Sequence, residues 1–216
     1  MRKKHFLFCL ILTVLAGLMT ACGDDDAPMA SYRQDLAEIS TNHDGRIDKL
    51  ILDNADTLLV SNKDAITQTL IPDTVYRVKV AFLKKDLEAE IVGLQSIFSM
   101  PPLKEMPEEA KEDAITAEAV WRSGRYLNLL VSFKTSGAEK HQIAFVENGI
   151  STQADGSKML HIVMTHNRRN DGSAYTTKSY LSCLLSDYHT VLTANRDSVS
   201  IAIPTGNGFS IRNFPF

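Results

Sequence analysis

The chain has 216 residues, of which 44% are hydrophobic and 23% charged, and its formal net charge is −3. An excess of carboxylates argues against nucleic acid as a partner, because that binding rests on cationic contacts to phosphate. Three cysteines are too few for a disulfide framework, so the fold must rest on an apolar core.

In chain order, the first stretch is Met1 to Asp26, MRKKHFLFCLILTVLAGLMTACGDDD. Arg2, Lys3 and Lys4 precede an apolar run from Phe6 to Met19. At roughly 14 residues that run is short for a permanent membrane span and suits the apolar region of an export signal. Small Ala21 stands directly before Cys22, as a lipoprotein peptidase requires, although Met19 occupies a position where Leu is more usual. The mature chain is therefore expected to begin at Cys22, acylated on its sulfur and amine, with residues 1–21 removed. Each buried CH2 contributes ~0.8 kcal/mol, and two or more acyl chains hold durably. Loss of the leader's three cations takes the formal charge from −3 to −6. Cys9 leaves with the leader and Cys22 is acylated, so Cys183 stands alone and no internal disulfide is expected. Gly23, Asp24, Asp25 and Asp26 resemble the acidic tag that sends lipoproteins to the outer face of the outer membrane. Residues 22–30 read as acylated cysteine plus tether, giving an expected lipid-anchored, surface-exposed location.

Residues 31–100 read as a small barrel. Tyr32 to Ser40 is a candidate strand, and Asn42-His43-Asp44-Gly45 a turn, since Gly tolerates positive φ and Asp-Gly is a hairpin dipeptide. Ser40, Asn42, Asp44 and Gly45 mimic the start of an EF-hand loop, but Ile51 stands where the bidentate Glu belongs, so the turn is preferred over calcium. Arg46 to Leu52 and Thr57 to Val60 follow as strands. Ser61 to Pro72 is irregular, a short helix or a loop across the barrel mouth. Val75 to Leu83 alternates with a period of two, Lys84-Lys85-Asp86 turns, and Leu87 to Phe98 pairs back with Gly93 at a bulge position. Five strands ending in a long hairpin fit a Greek-key barrel of the oligonucleotide/oligosaccharide-binding (OB) type.

Residues 101–114 are proline-bearing and acidic, and read as a linker with Glu108, Glu109, Glu112 and Asp113 on a solvated face. From Ile115 to Phe216 turn signals recur between alternating strands: Ser123-Gly124, Ser136-Gly137, Asn148-Gly149, Asp155-Gly156 and Asp171-Gly172. That spacing predicts an antiparallel sandwich of about seven strands, closed by an edge strand at Phe209 to Phe216 that Pro215 stops. The expected fold class is all-β: an OB-like barrel, then an Ig-like β-sandwich.

Within that second half, Tyr126-Leu127-Asn128-Leu129, Lys140-His141-Gln142-Ile143, Leu160-His161-Ile162-Val163-Met164 running into His166-Asn167, and Ser198-Val199-Ser200-Ile201 resemble the C-terminal domain of NigD-like lipoproteins. The resemblance implies an OB-like domain followed by a β-sandwich behind a lipidated cysteine. It also implies an association with bacteriocin traffic, and it assigns no catalytic residue or cofactor.

The chemistry visible in the residues is sparse. His161 and His166 are five apart on one strand, so they point to opposite faces and cannot share a metal unless the fold brings in His141 or His189. No Gly-x-Ser-x-Gly elbow exists, and Gly206-Asn207-Gly208 lacks the setting of a dinucleotide loop. Trp121 and Tyr126 flank Arg122-Ser123-Gly124-Arg125, an aromatic and cationic tip able to stack on a sugar or grip a protein. Trp121, Arg122, Arg125 and His166 are thus the candidate ligand contacts, and the expected role is a non-catalytic binding or accessory module for a glycan or protein partner. A hydrolase with its site between the two domains is the alternative, and two converging carboxylates would favour it.

Overall fold

The computed structural model describes residues 30–66 and 70–216, so Cys22 and the Gly23–Asp26 run lie outside the described residues. Five strands form a closed barrel: β1 (Ser31–Thr41), β2 (Ile47–Leu52), β3 (Thr57–Val60), β4 (Val75–Lys85) and β5 (Glu88–Ser96). Their order around the barrel is β1-β2-β3-β5-β4, with β1 hydrogen-bonded to β4 to close it. The β3–β5 pair is parallel and the others antiparallel. Alternation decides which side chains fill it: Val78, Val80 and Phe82 of β4 are buried against Ile39, Leu50 and Leu58. Each full burial contributes ~1.5–3 kcal/mol. The β4–β5 register shifts at Ala81/Phe82 opposite Gly93, the bulge that the glycine suggested.

The turn after β1 needs no ion. The Asn42 side-chain oxygen accepts the backbone N–H groups of Asp44 and Arg46, each at 3.0 Å, and Gly45 takes φ +75°. A Cβ at Gly45 would lie 2.5 Å from the Leu70 carbonyl oxygen, so only glycine fits. Among the described residues of 61–72, Lys63–Ala65 forms a 3-10 turn.

The second half is a sandwich of two four-stranded sheets. One has the order β6 (Phe98–Met100), β11 (Tyr175–Leu184), β8 (Tyr126–Thr135), β7 (Thr116–Ser123). The other runs β13 (Gly208–Pro215), β12 (Ser198–Thr205), β10 (Lys158–Asn167), β9 (Gln142–Thr152). Leu127, Leu129, Val131, Phe145, Leu160, Ile162 and Val199 interdigitate between them, none more than 1% exposed.

Three sequence expectations change. The sandwich is not wholly antiparallel: β10 and β12 run parallel, as do β6 and β11, because β11 crosses to the other sheet before the chain returns through 186–197. Asn148-Gly149 is not a turn but lies inside β9, where Gly149 adopts φ +86° beside a register shift at Leu160/Ile162. Phe98–Met100, which the sequence assigned to the barrel unit, instead pairs with β11 of the sandwich. The stretch 101–114 is likewise tied down, with Leu103 bridging Val146 and Glu112 bridging His166.

Candidate functional site

The barrel and sandwich are joined by buried charge. Arg77 of β4, 6% exposed, reaches out of the barrel wall, and its guanidinium pairs with both carboxylate oxygens of Asp53. It also donates to the Asn128 side-chain oxygen at 3.0 Å and the Ser182 hydroxyl at 3.3 Å, and lies 3.8 Å above the Tyr126 ring. Ser123 donates to Asp53, Asn128 donates to Ser123, and Ser182 donates to Asn128, so the sandwich residues form a connected network around one barrel cation. Beside it, Arg125 donates to both oxygens of Glu38 at 2.6 Å, and the Tyr126 hydroxyl also donates to Glu38. Burial, reinforced by the Glu38 carboxylate, pushes the Tyr126 phenol well above its usual value. The Glu38 hydrogen bond raises Arg125 in turn. Gly124 sits where the hairpin touches the barrel: at φ +51°, a Cβ there would lie 2.4 Å from the Asp53 carbonyl oxygen.

This lock disperses the expected Trp121–Arg125 tip. Alternate residues of β7 face opposite ways. Arg122 lies over the Phe216 ring at 5.1 Å, and burial lowers its pKa. Arg125 is paired with Glu38 and keeps a half-exposed side chain. Trp121 is half-buried and lines a concave site.

Two clefts flank the junction, both lined by Lys79 and Tyr180, whose ammonium and ring are 4.9 Å apart. The first, about 630 Å³, is lined by Trp121 and Tyr180 of the sandwich and by Arg33, Asp35 and Asp53 of the barrel. Burial, opposed by Arg33 and assisted by Asp53, raises the Asp35 carboxyl above its usual value. The second, about 830 Å³, lies between Gln95 to Phe98 on one side and Phe133, His141 and Ile143 on the other.

Behind the second cleft the fold gathers residues that the sequence left apart. His166 is fully buried; its Nδ1 is 2.9 Å from the Asp113 carbonyl oxygen and its Nε2 2.9 Å from His141 Nδ1. His141 Nε2 is 3.1 Å from the Asp171 carboxylate. Hydrogen bonds from the Ser136 and Thr135 hydroxyls, with the Ser136 backbone N–H, hold Asp171 far below the usual carboxylate range and therefore ionised. A chain of close polar contacts thus runs from the Asp113 carbonyl through both imidazoles to Asp171. Burial lowers His166, which stays neutral and donates from Nδ1 to Asp113. All four ring nitrogens are engaged, so His166 is a structural residue and not a ligand contact. Among the described residues no group of three or more His, Cys, Asp or Glu is arranged to hold a metal. Of the acidic residues of 101–114, Glu108, Glu109 and Glu112 are exposed, Glu109 lying 3.4 Å from Arg169, while Asp113 accepts the Arg168 backbone N–H at 2.8 Å. Cys183 is buried among apolar side chains, which pushes its thiol far up and leaves it inert.

Asp35 and Asp53 are the two carboxylates lining the smaller cleft, and both oxygens of Asp53 are already engaged by Arg77 and Ser123.

A family model for the NigD-like C-terminal beta sandwich domain matches residues 99–211, more than half of the chain. The chain belongs to the NigD-like family. The match begins inside β6, in agreement with the pairing of that strand into the sandwich. Solved structures share the fold across both halves. A NigD-like immunity protein from Bacteroides caccae superposes with a TM-score of 0.68 at 21% identity, covering 85% of this chain and 96% of that one. A protein described as toxin related, from Parabacteroides distasonis, gives 0.67 at 15% identity over 86% and 93% of the two chains. A Bacteroides vulgatus protein of unknown function gives 0.62 at 14%, over 85% and 90%. Comparison with curated protein sequences finds no match.

Proposed function

We propose that this NigD-like chain is an exported lipoprotein, acylated at Cys22 and carried to the outer membrane surface, that works without catalysis as an immunity-type accessory protein by binding a protein partner. The observation that carries the reading is the buried Arg77 network, which fixes two β domains against each other and leaves preformed clefts at their junction. A preorganised concave surface binds with little ordering cost. The leader and Cys22 supply the anchor, and structural relatives named for immunity and toxin functions favour a protein over a glycan as the partner.

The test is genetic. Deleting the gene should raise sensitivity to a bacteriocin made by a related strain, and the wild-type chain should restore resistance. The Cys22→Ser chain should fold but leave the membrane fraction and restore it poorly. Unchanged sensitivity on deletion would refute the immunity reading.

A second reading draws on Asp35, whose raised carboxyl faces Trp121 across the smaller cleft. If the cleft hydrolysed a glycan, Asp35→Asn would abolish turnover while leaving binding intact; the accessory role expects no turnover in either chain.

A further inference from the structure

The larger cleft differs from the rest of the molecule in charge. The chain is acidic overall, yet Lys79, Lys140, Lys178 and Arg169 line this cleft against one carboxylate, Glu139. Arg169 is drawn to Glu109 and Lys178 to Glu118 at 3.7 Å, while Lys140 makes no ion pair among the described residues. Between the cations lies apolar surface: Phe98 is 41% exposed, and Phe133 and Tyr180 line the same opening. The cleft is also bounded by two strand edges. Within its sheet β6 pairs only with β11, and β9 only with β10. Leu103, three residues beyond β6, pairs with Val146 of β9, and on the N-terminal side of that pair Phe98 and Gln142–Ile143 flank the open slot. Strand edges offer backbone donors and acceptors at the spacing of an extended chain.

Building on the partner-binding reading above, we infer that this slot receives an extended segment of the partner protein that is acidic and bears apolar side chains. Its apolar groups lie on Phe98, Phe133 and Tyr180, and its carboxylates meet Lys79, Lys140 and Lys178. Positive potential in a slot on an otherwise negative body steers such a segment and rejects a basic one.

The experiment titrates a blocked hexapeptide alternating glutamate with leucine and phenylalanine into the full mature chain carrying Cys22→Ser, at low salt, by calorimetry. The glutamate peptide should bind, and its lysine counterpart should not. Lys140→Glu, at an exposed position where the fold is not at stake, should weaken binding about ten-fold, and raising salt should weaken it further. Hydrogen-exchange protection should appear at 142–143. Equal affinity for both peptides, no binding of the acidic one, or an unaffected Lys140→Glu chain would overturn the inference. The Lys140→Glu chain returned to the deletion strain separates the two claims. If wild type restores resistance and the variant does so equally, the slot is wrong and partner binding stands; if wild type restores nothing, the broader reading fails.

Discussion

Replacing Arg77 with methionine removes the cation at the centre of the domain junction while keeping a long apolar stem. The loss strips Asp53 of its bidentate partner, takes a 3.0 Å bond from Asn128 and a 3.3 Å bond from Ser182, and removes the cation 3.8 Å over the Tyr126 ring. Breaking a buried pair on one side costs ~3–5 kcal/mol, because the remaining charge keeps its desolvation penalty. The cation over Tyr126 adds ~1–2 kcal/mol. A loss of about 4–7 kcal/mol is a large share of the 5–15 kcal/mol that holds a typical domain together. Since the contacts to Asn128, Ser182 and Tyr126 join barrel to sandwich, the variant should also lose coupling. Calorimetry should show one transition in wild type and two in Arg77→Met, the barrel unfolding first because its core is smaller. A second variant, Arg77→Met with Asp53→Leu, removes the orphaned charge and should recover part of the loss while leaving the two transitions apart. A cost of under 1 kcal/mol with one cooperative transition would refute the lock.

Gly124→Ala forces a Cβ to 2.4 Å from the Asp53 carbonyl at positive φ, and should cost at least ~2 kcal/mol in urea unfolding. Gly149→Ala meets nothing within 4 Å and should cost only the ~1–2 kcal/mol of a left-handed alanine; equal costs would mean that the hairpin does not press on the barrel. Asp171 titrates below its unfolded value, near 3.9, so its contribution is present above that pH and lost as pH falls through the folded value. Buried His166, also depressed, has the same sign from ~6.5 downward. Acid should therefore destabilise wild type more steeply than Asp171→Asn, which is weaker at neutral pH; parallel acid curves would contradict this. At pH 7, nitrogen NMR should show His166 as the neutral Nδ1–H tautomer, and a doubly protonated His166 ring would contradict this. Cys183 should resist thiol reagents until the sandwich unfolds, since its thiol is fully buried and pushed up by desolvation.

Much of the fold was legible because strand alternation is local. Val78, Val80 and Phe82 announce a half-buried strand without any knowledge of its neighbours. The domain lock was hidden for the opposite reason. Arg77 and Glu38 occupy outward-facing positions of their strands, and nothing local reveals that Arg77 meets Ser182, 105 residues on, or that Glu38 meets Arg125, 87 residues on. Asn148-Gly149 carries the strongest short turn signal, but a glycine at positive φ serves a bulge as well as a hairpin, and only the pairing of β9 with β10 decides between them. Three-residue β6 shows no period at all. His141 and His166 come together across the β9–β10 hairpin; their sequence shows two histidines but not the acceptors that fix their protons.

The measurement that bears most directly on the whole account is the intact mass of the mature protein purified from native membranes. A chain beginning at Cys22 and carrying the added mass of acyl groups is the expected result. A retained leader, or a first cysteine without lipid, would contradict the proposal that this pair of fused β domains is held at the membrane to meet its partner.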